Sequence, residues 1–230
     1  MVLSMQPISM RSSTGEVIVH PGDDIQKIVA AHAAGASFVI SPGIYRLQSI
    51  QPKNGDTFTG ERGTILNGAQ LLNAFQREGP CWVTQVAVKS LRSYRGQCDA
   101  THAACMYPED LFYDSKPLRR VASLSLVAPG AWYLDYSTNK VYAGSDPGGH
   151  TVEMSVARAA FWGSASNVTI MGLTIEKYAS IAGKGAINAI ASLDGYGPVG
   201  TGWVVESNDL YLNHGLGIRV SDGMTVRSRS

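Results

Sequence analysis

The sequence has few charged residues and no long apolar run. Charged residues make up 16% of the 230 residues and the formal net charge is +1, so nothing favours electrostatic capture of nucleic acid or of an anionic membrane. No run of about 18 apolar residues occurs, so no membrane span is expected. Residues 1–10 lack a charged segment followed by an apolar one, so we expect no signal peptide in this chain.

Cysteine is scarce, and the three present, Cys81, Cys98 and Cys105, do not define a disulfide framework because their number is odd. Cys98 and Cys105 lie in one loop and could form a disulfide in an oxidising compartment, while three reduced thiols remain the alternative. His102 lies between them, but no fourth ligand follows at the spacing of a zinc site. We therefore predict no metal site here.

Short strands and tight turns are the main content of the chain. Glycine occurs 25 times, often beside short β-branched runs, which favours many short strands over long helices. One amphipathic helix is predicted at residues 24–34, with Asp23 or Asp24 as its N-cap and Gly35 as its stop. The predicted strands around it are residues 17–19, 37–41, 44–47, 57–59 and 64–66. These segments are too short and too evenly spaced for a meander of hairpins.

The middle of the chain departs from this pattern. Residues 73–110 carry Trp82 and both loop cysteines, and we interpret them as an insertion. Alternating aromatic residues at 132–143 predict a β-hairpin. Further strands at 111–113, 123–127 and 151–154 would complete a small antiparallel sheet.

From Asn167 onward the sequence repeats itself. Residues 168–175 match residues 203–210, which places Ile170 and Val205 35 positions apart. Val226 follows Val205 after a further 21 positions, and the excess in the first interval falls in a glycine-rich loop. A repeat of about 20 residues with two or three short strands is typical of a solenoid, in which coils stack at a spacing of about 4.8 Å.

A family resemblance supports the same fold. Residues 25–69, with the helix, Phe38 to Tyr45 and Gly55 to Phe58, resemble the start of pectate-lyase-like β-helix proteins, and residues 167–220 are similar to bacterial right-handed β-helix repeats. The resemblance implies an all-β, right-handed parallel β-helix (solenoid) with an N-terminal capping α-helix and an inserted antiparallel β-hairpin module. It implies polysaccharide or another glycan as partner, and an extracellular or cell-surface location for the parent protein. It does not imply one activity, because this superfamily hosts enzymes and non-enzymatic surface proteins.

These observations predict three regions. Residues 1–72 form the cap and first coils, residues 73–154 the insertion, and residues 155–230 further coils. The repeat predicts more coils after Val226, so we expect a fragment of a longer protein with an open last coil, and such a coil could self-associate.

The candidate catalytic and binding residues lie mostly in the last region. Asp194, Asp209, Asp222 and His214 are the candidate catalytic residues, with the carboxylates projecting from the coils and His214 acting as general acid or base. The candidates for binding a sugar are Tyr178, Tyr196 and Arg219. The alternative is structural, since Asp194 and Asp222 precede glycine in turn sequences and Asn208 has the position of a corner asparagine that bonds backbone amides.

Two functions fit this sequence. One is a polysaccharide lyase or glycoside hydrolase acting on extracellular polysaccharide, for which no cofactor is certain and calcium is possible if the protein is a lyase. The other is a non-catalytic surface or adhesive β-helix that binds glycan or serves as a scaffold. The sequence leaves both open.

Overall fold

The computed structural model describes residues 15–88, 98–101, 103–221 and 223–227. Among the helices of this part of the chain, α1 spans Ile25–Ala31, a 3-10 helix spans Leu124–Leu126, and none is long and apolar enough to cross a membrane. The strands, in chain order, are β1 (Val17–Val19), β2 (Ser37–Ile40), β3 (Gly43–Arg46), β4 (Thr57–Gly60), β5 (Thr64–Asn67), β6 (Ala69–Leu72), β7 (Gln76–Glu78), β8 (Cys81–Gln85), β9 (Leu111–Tyr113), β10 (Lys116–Pro117), β11 (Arg119–Arg120), β12 (Ala131–Asp135), β13 (Lys140–Ala143), β14 (Val152–Ser155), β15 (Phe161–Trp162), β16 (Thr169–Met171), β17 (Thr174–Glu176), β18 (Gly185–Asn188), β19 (Val204–Glu206), β20 (Asp209–Tyr211), β21 (Leu216–Arg219) and β22 (Thr225–Arg227).

Three sheets consist of parallel strands. Their orders are β1-β2-β4-β16-β19-β22, β3-β5-β17-β20 and β15-β18-β21. The chain visits the three sheets in turn, so that β16, β17 and β18 form one coil and β19, β20 and β21 form the next. This path is consistent with a parallel β-helix, in which each strand pairs with its counterpart one coil later.

The register of these sheets confirms the repeat found in the sequence. Ile170 pairs with Val205, and Val205 pairs with Val226, as the intervals of the repeat predict. In the third sheet Ile187 pairs with Ile218. The inward side chains form continuous rows because side chains alternate between the two faces of a strand.

Aromatic rings fill the first coils. Phe38 stacks on Phe58 with ring centroids 5.0 Å apart, and Phe161 lies 5.0 Å from Phe58 on the other side. All three side chains are buried in one core cluster. Offset ring pairs of this kind stabilise a core by about 0.5–1.5 kcal/mol beyond their area.

Helix α1 packs against this core at the place the sequence predicts, but it is shorter than the predicted 24–34. The Asp24 carboxylate accepts a hydrogen bond from the backbone N–H of Lys27, which caps the first turn. Ile25 and Val29 are fully buried in the core cluster. A capping function for the helix remains a prediction.

Strands β6 to β14 form two further sheets, with the orders β10-β9-β14-β6 and β11-β12-β13-β8-β7. All their pairs are antiparallel except the pair β11-β12, which is parallel. Strands β12 and β13 pair antiparallel where the hairpin was predicted. The predicted strand at 123–127 is wrong: the chain makes a 3-10 turn at Leu124–Leu126, whose side chains are not buried. Serine and leucine alternate here as they would in a strand, but Leu124 and Leu126 have no core surface to pack against, so the alternation does not produce a strand. The boundaries 1–72, 73–154 and 155–230 remain a prediction.

A buried group of charged and amide side chains joins the antiparallel sheets to the second parallel sheet. We call Arg46, Asn67, Glu153, Glu176 and Lys177 the ion cluster. Glu153, on β14, accepts from Arg46 at 2.6 Å and from Asn67 at 3.2 Å, and Lys177 also donates to it. The Asn67 amide donates at 2.7 Å to Glu176, which lies on β17 of the parallel sheet. Glu153 and Lys177 are 3% and 2% exposed, so these contacts form away from water.

The positive charges in the ion cluster keep Glu153 ionised. Burial by itself raises the pKa of Glu153, but hydrogen bonds and charges from Lys177 and Arg46 outweigh burial and hold that pKa below 4.5. Lys177 adopts a left-handed backbone conformation, with φ of 58°, although it is not glycine. Leu47 and Leu212 directly follow β3 and β20 as Lys177 follows β17, and they share this conformation with φ of 59° and 54°, so it belongs to the turn at this corner of the coils.

We expect Glu153→Gln to lower the free energy of unfolding by about 3 kcal/mol, because the buried Lys177 and the partly buried Arg46 then face a neutral amide. Glu78→Gln is the control, since it breaks the exposed pair of Glu78 with Lys140 and should change stability by less than about 1 kcal/mol. Urea unfolding followed by circular dichroism measures both. Equal effects of the two substitutions would show that the ion cluster does not hold the fold.

Acid should remove the contribution of Glu153 to stability. Because its pKa is lower in the folded state than the usual 4.5, the unfolded chain binds more protons as the pH falls through this range. The free energy of unfolding should therefore decrease below about pH 4.5, and the gap between wild type and Glu153→Gln should narrow. Urea unfolding at pH 7, 4.5 and 3.5 tests this, and a constant gap would contradict it.

Candidate functional site

The parallel and antiparallel sheets face each other along one corner of the coils. Ala157, Ala179 and His214 stack there, because the Ala179 N–H donates to the Ala157 carbonyl at 2.7 Å and Ala179 forms a parallel bridge with His214. We call these three residues the corner row. Residues 117–120 of the insertion, together with Ala104, Cys105, Tyr107 and Asp110, share a cavity with His214 at the end of this row.

A histidine–aspartate pair connects the coils to the insertion at this cavity. The ring Nδ1 of His214 lies 3.1 Å from Oδ2 of Asp110, and the two side chains are 23% and 31% exposed. The backbone of Asp110 is fixed by Ser155, whose hydroxyl accepts from the Asp110 N–H at 2.7 Å and whose N–H donates to the Asp110 carbonyl at 2.9 Å. The strand β14 thus sets the position of the carboxylate that meets His214.

The cavity around this pair has a volume of about 460 Å³, and we call it the first cavity. Its lining consists of an aromatic ring, arginines, the histidine–aspartate pair and small side chains: Ala104, Cys105, Tyr107, Asp110, Pro117, Leu118, Arg119, Arg120 and His214. This volume lies within the range of about 300–1,000 Å³ that is usual for small-molecule sites. The mixture of an aromatic face with convergent polar groups suits a polyhydroxylated ligand.

Arg120 forms a rigid wall of the first cavity. Its guanidinium donates to the Glu109 carboxylate at 3.0 Å and to the Tyr136 hydroxyl at 2.9 Å, and it lies 4.7 Å from the ring centroid of Tyr107. Burial raises the pKa of Tyr136, so this hydroxyl stays protonated. Arg120 is therefore engaged in contacts within the protein, and its contact with the Tyr107 ring helps to position that ring.

A disulfide bounds the same cavity. Cys98 and Cys105 are bonded, with their Cα atoms 5.6 Å apart, and Cys105 lines the first cavity. The structure thus favours the bridged alternative that the sequence left open. Cys81 is a free, buried thiol.

The structure brings two of the predicted catalytic residues to the corner row. His214 belongs to it, and Asp194 pairs with Arg158, which directly follows Ala157 in the chain. Asp194 is 75% exposed at its side chain, so Arg158 contacts it at the surface.

The remaining predicted residues lie elsewhere. Asp209 is exposed on β20, Arg219 lies on β21 in register with Asn188, and Tyr196 is 76% exposed in the glycine-rich loop. Asp222 lies outside the described residues. Tyr178 has no exposed surface and its hydroxyl donates to the Gln48 carbonyl at 3.0 Å, so the structure does not support sugar stacking on this ring.

Asn208 has the structural environment that its corner position indicated. Its amide donates to the Ile170 carbonyl at 2.9 Å, and its oxygen accepts from the Leu173 N–H at 3.0 Å. Asn213 makes the same two kinds of bond to the same neighbouring coil. Both asparagines therefore satisfy backbone groups at the turns.

Sequence reasoning missed the half of the site that the insertion contributes. Tyr107, Glu109 and Asp110 fall together directly after the second loop cysteine, and this run of an aromatic residue and two carboxylates was a usable signal. That Asp110 contacts His214 could not be predicted from the sequence, because the two residues are 104 positions apart. The described residues contain no group of three or more His, Cys, Asp or Glu side chains placed to hold a metal ion.

The chemistry available at the first cavity is hydrogen bonding and proton exchange. His214 can accept or donate a proton while Asp110 orients its ring. Asp110 is the single carboxylic acid among the described residues that line this cavity, whereas glycoside hydrolysis uses two. The described lining therefore does not contain the pair of carboxylic acids that most glycoside hydrolases use.

No family model matches the sequence, and no curated protein matches it. A solved structure described as the complex structure of XylC with xylose is similar, with a TM-score of 0.67 and 19% identity over 85% of this chain and 40% of that chain. Another, described as a glycoside hydrolase, has a TM-score of 0.40 and 12% identity over 71% of this chain and 51% of that chain, which is too weak to support an inference. The chain thus shares its fold with part of XylC and spans 40% of the length of that chain.

The disulfide predicts a simple labelling pattern. Alkylation of the unfolded chain without reductant should modify Cys81 alone, and alkylation after reduction should modify all three cysteines. Mass spectrometry of the intact chain counts the added groups. Three labels without reductant, on protein purified from an oxidising compartment, would contradict the Cys98–Cys105 bond.

Proposed function

We propose that this chain is part of a carbohydrate-active β-helix protein and that the first cavity binds one sugar unit of a glycan. The observation that carries the proposal is the convergence of Tyr107, Asp110, Arg119 and His214 on one cavity of about 460 Å³. The likeness to XylC, solved with xylose, gives this fold a precedent among proteins crystallised with sugars.

The residue types fit a sugar for separate reasons. The Tyr107 ring, beside which Arg120 lies 4.7 Å from the centroid, supplies apolar surface for C–H groups of a pyranose. The Asp110 carboxylate can accept a hydrogen bond from a hydroxyl group, and the Arg119 guanidinium can donate one. His214 can do either, according to its tautomer. A polyhydroxylated ligand, neutral or uronate, can use all these groups.

Activity is a further proposal. We propose that the whole protein is a glycoside hydrolase or a polysaccharide lyase acting on extracellular polysaccharide. Release of reducing ends would indicate the first and release of unsaturated uronates the second. The alternative is a non-catalytic surface or adhesive β-helix that binds glycan or serves as a scaffold, and it would release neither product.

Self-association also belongs among the proposals. Strands β20, β21 and β22 are edge strands of the three parallel sheets at the same end of the coils. Leu216 and Val226 on these strands are about half exposed. An edge strand with exposed apolar side chains can pair with a second copy.

Binding to the first cavity is tested by titrating the purified chain with D-xylose, D-glucose and D-galacturonate, using ligand-observed NMR for weak affinities. We expect saturable binding of at least one sugar, and His214→Ala should weaken it about tenfold or more, since a hydrogen bond to a charged or polar partner is lost from a partly buried site.

His150→Ala is the matched control. His150 faces Asp114 with Nδ1 and Oδ2 2.6 Å apart, yet neither residue lines the first cavity. This variant should bind like wild type. Equal weakening by both substitutions would remove the first cavity as the binding site, and the absence of binding for all three sugars would overturn the proposed function.

A further inference from the structure

A second cavity lies along the same corner of the coils. Its volume is about 360 Å³, and aliphatic side chains form most of its wall: Leu47, Ala87, Val88, Val156, Ala157 and Leu193, with Ser49, Glu109 and Arg158 as the polar members. It is distinct from the first cavity, because the two share none of their lining residues.

The two cavities are neighbours on both walls. On the insertion side, Glu109 lines the second cavity and the next residue, Asp110, lines the first. On the other side, Ala157 lines the second cavity and His214 lines the first, and they are the two ends of the corner row. Ala157 and His214 are two coil-to-coil steps apart, one made by the Ala179–Ala157 hydrogen bond and one by the Ala179–His214 bridge, which corresponds to about 10 Å.

We propose that the two cavities are adjacent subsites of one groove, which binds a linear oligosaccharide with its chain along the corner row. This inference rests on the proposed function, because the first cavity supplies the first sugar position. Its occupant is another unit of the same glycan, since the two cavities lie close enough for one short oligosaccharide to reach both.

The second cavity has the chemistry of a sugar subsite that contributes affinity rather than proton exchange. Aliphatic walls cover the C–H faces of a pyranose, and Arg158 offers donors at the rim. The Nε atom of Arg158 is buried and has no acceptor among the described residues, so a sugar hydroxyl that reaches it would satisfy a donor that the fold leaves unused. Glu109 is held by Arg120 and is therefore part of the wall.

Chain-length dependence of binding tests the groove. The purified chain is titrated with xylose and with xylo-oligosaccharides of two to four units, or with the corresponding glucose or galacturonate series if one of those sugars is the one that binds. Affinity should rise about tenfold or more from one unit to two or three, because the second cavity then contributes, and should change little beyond that.

Ala157→Leu fills the second cavity and should abolish this gain while leaving the affinity for the monosaccharide unchanged. Ala34→Leu is the control, because Ala34 lines a separate cavity beside Lys53 and should leave the gain intact. Arg158→Gln provides a second probe, and its gain should be reduced relative to Asp194→Asn, which removes only the exposed partner of Arg158.

The outcomes separate the two proposals. Monosaccharide binding that depends on His214, with no increase for longer oligosaccharides, overturns the groove and leaves the proposed function standing. A gain that persists in Ala157→Leu also overturns the groove, because the additional units then bind elsewhere. If no sugar of any length binds, the proposed function itself has failed.

Discussion

The position of the candidate site depends on the ion cluster between β14 and the second parallel sheet. Two glutamates and a lysine are buried there beside a partly buried arginine, and they are tolerated because each charge has an opposite charge or an amide as partner. Removing one partner of such a group leaves an unpaired buried charge and costs about 3–5 kcal/mol, so arrangements that separate the partners are disfavoured. The cluster therefore fixes where the antiparallel sheets lie against the coils.

Everything at the corner of the coils follows from that arrangement. Glu153 belongs to the ion cluster, and two residues later on the same strand Ser155 holds the backbone of Asp110. Asp110 in turn meets His214 from a coil far along the chain. The candidate site thus lies between the coils and the antiparallel sheets, and strand β14 positions its residues from one side relative to the other.

The coils could be predicted from the sequence because the apolar residues that stabilise them recur at regular intervals. Ile170, Val205 and Val226 occupy equivalent places, and a repeat places equivalent residues in register whatever lies between them. The site was readable only in part. His214 and Asp194 carry suitable chemistry by themselves, but the contacts that give it meaning cross the insertion, where no repeat relates one residue to another. Burial could not be read either: Tyr178 has the residue type of a ligand-stacking ring, and its core position follows only from the packing of three sheets.

The insertion leaves the coils and returns to them at adjacent points, since Ala69 at the start of β6 pairs with Ser155 at the end of β14. It is therefore a side branch, and the path of the coils does not depend on its length. In the proposed groove, the wall that this branch forms can therefore accept substitutions or longer loops while the wall formed by the coils keeps its repeat. The residues that contact a ligand and the residues that form the coils can in this way change independently. The same coils could accommodate a different insertion between Ala69 and Ser155.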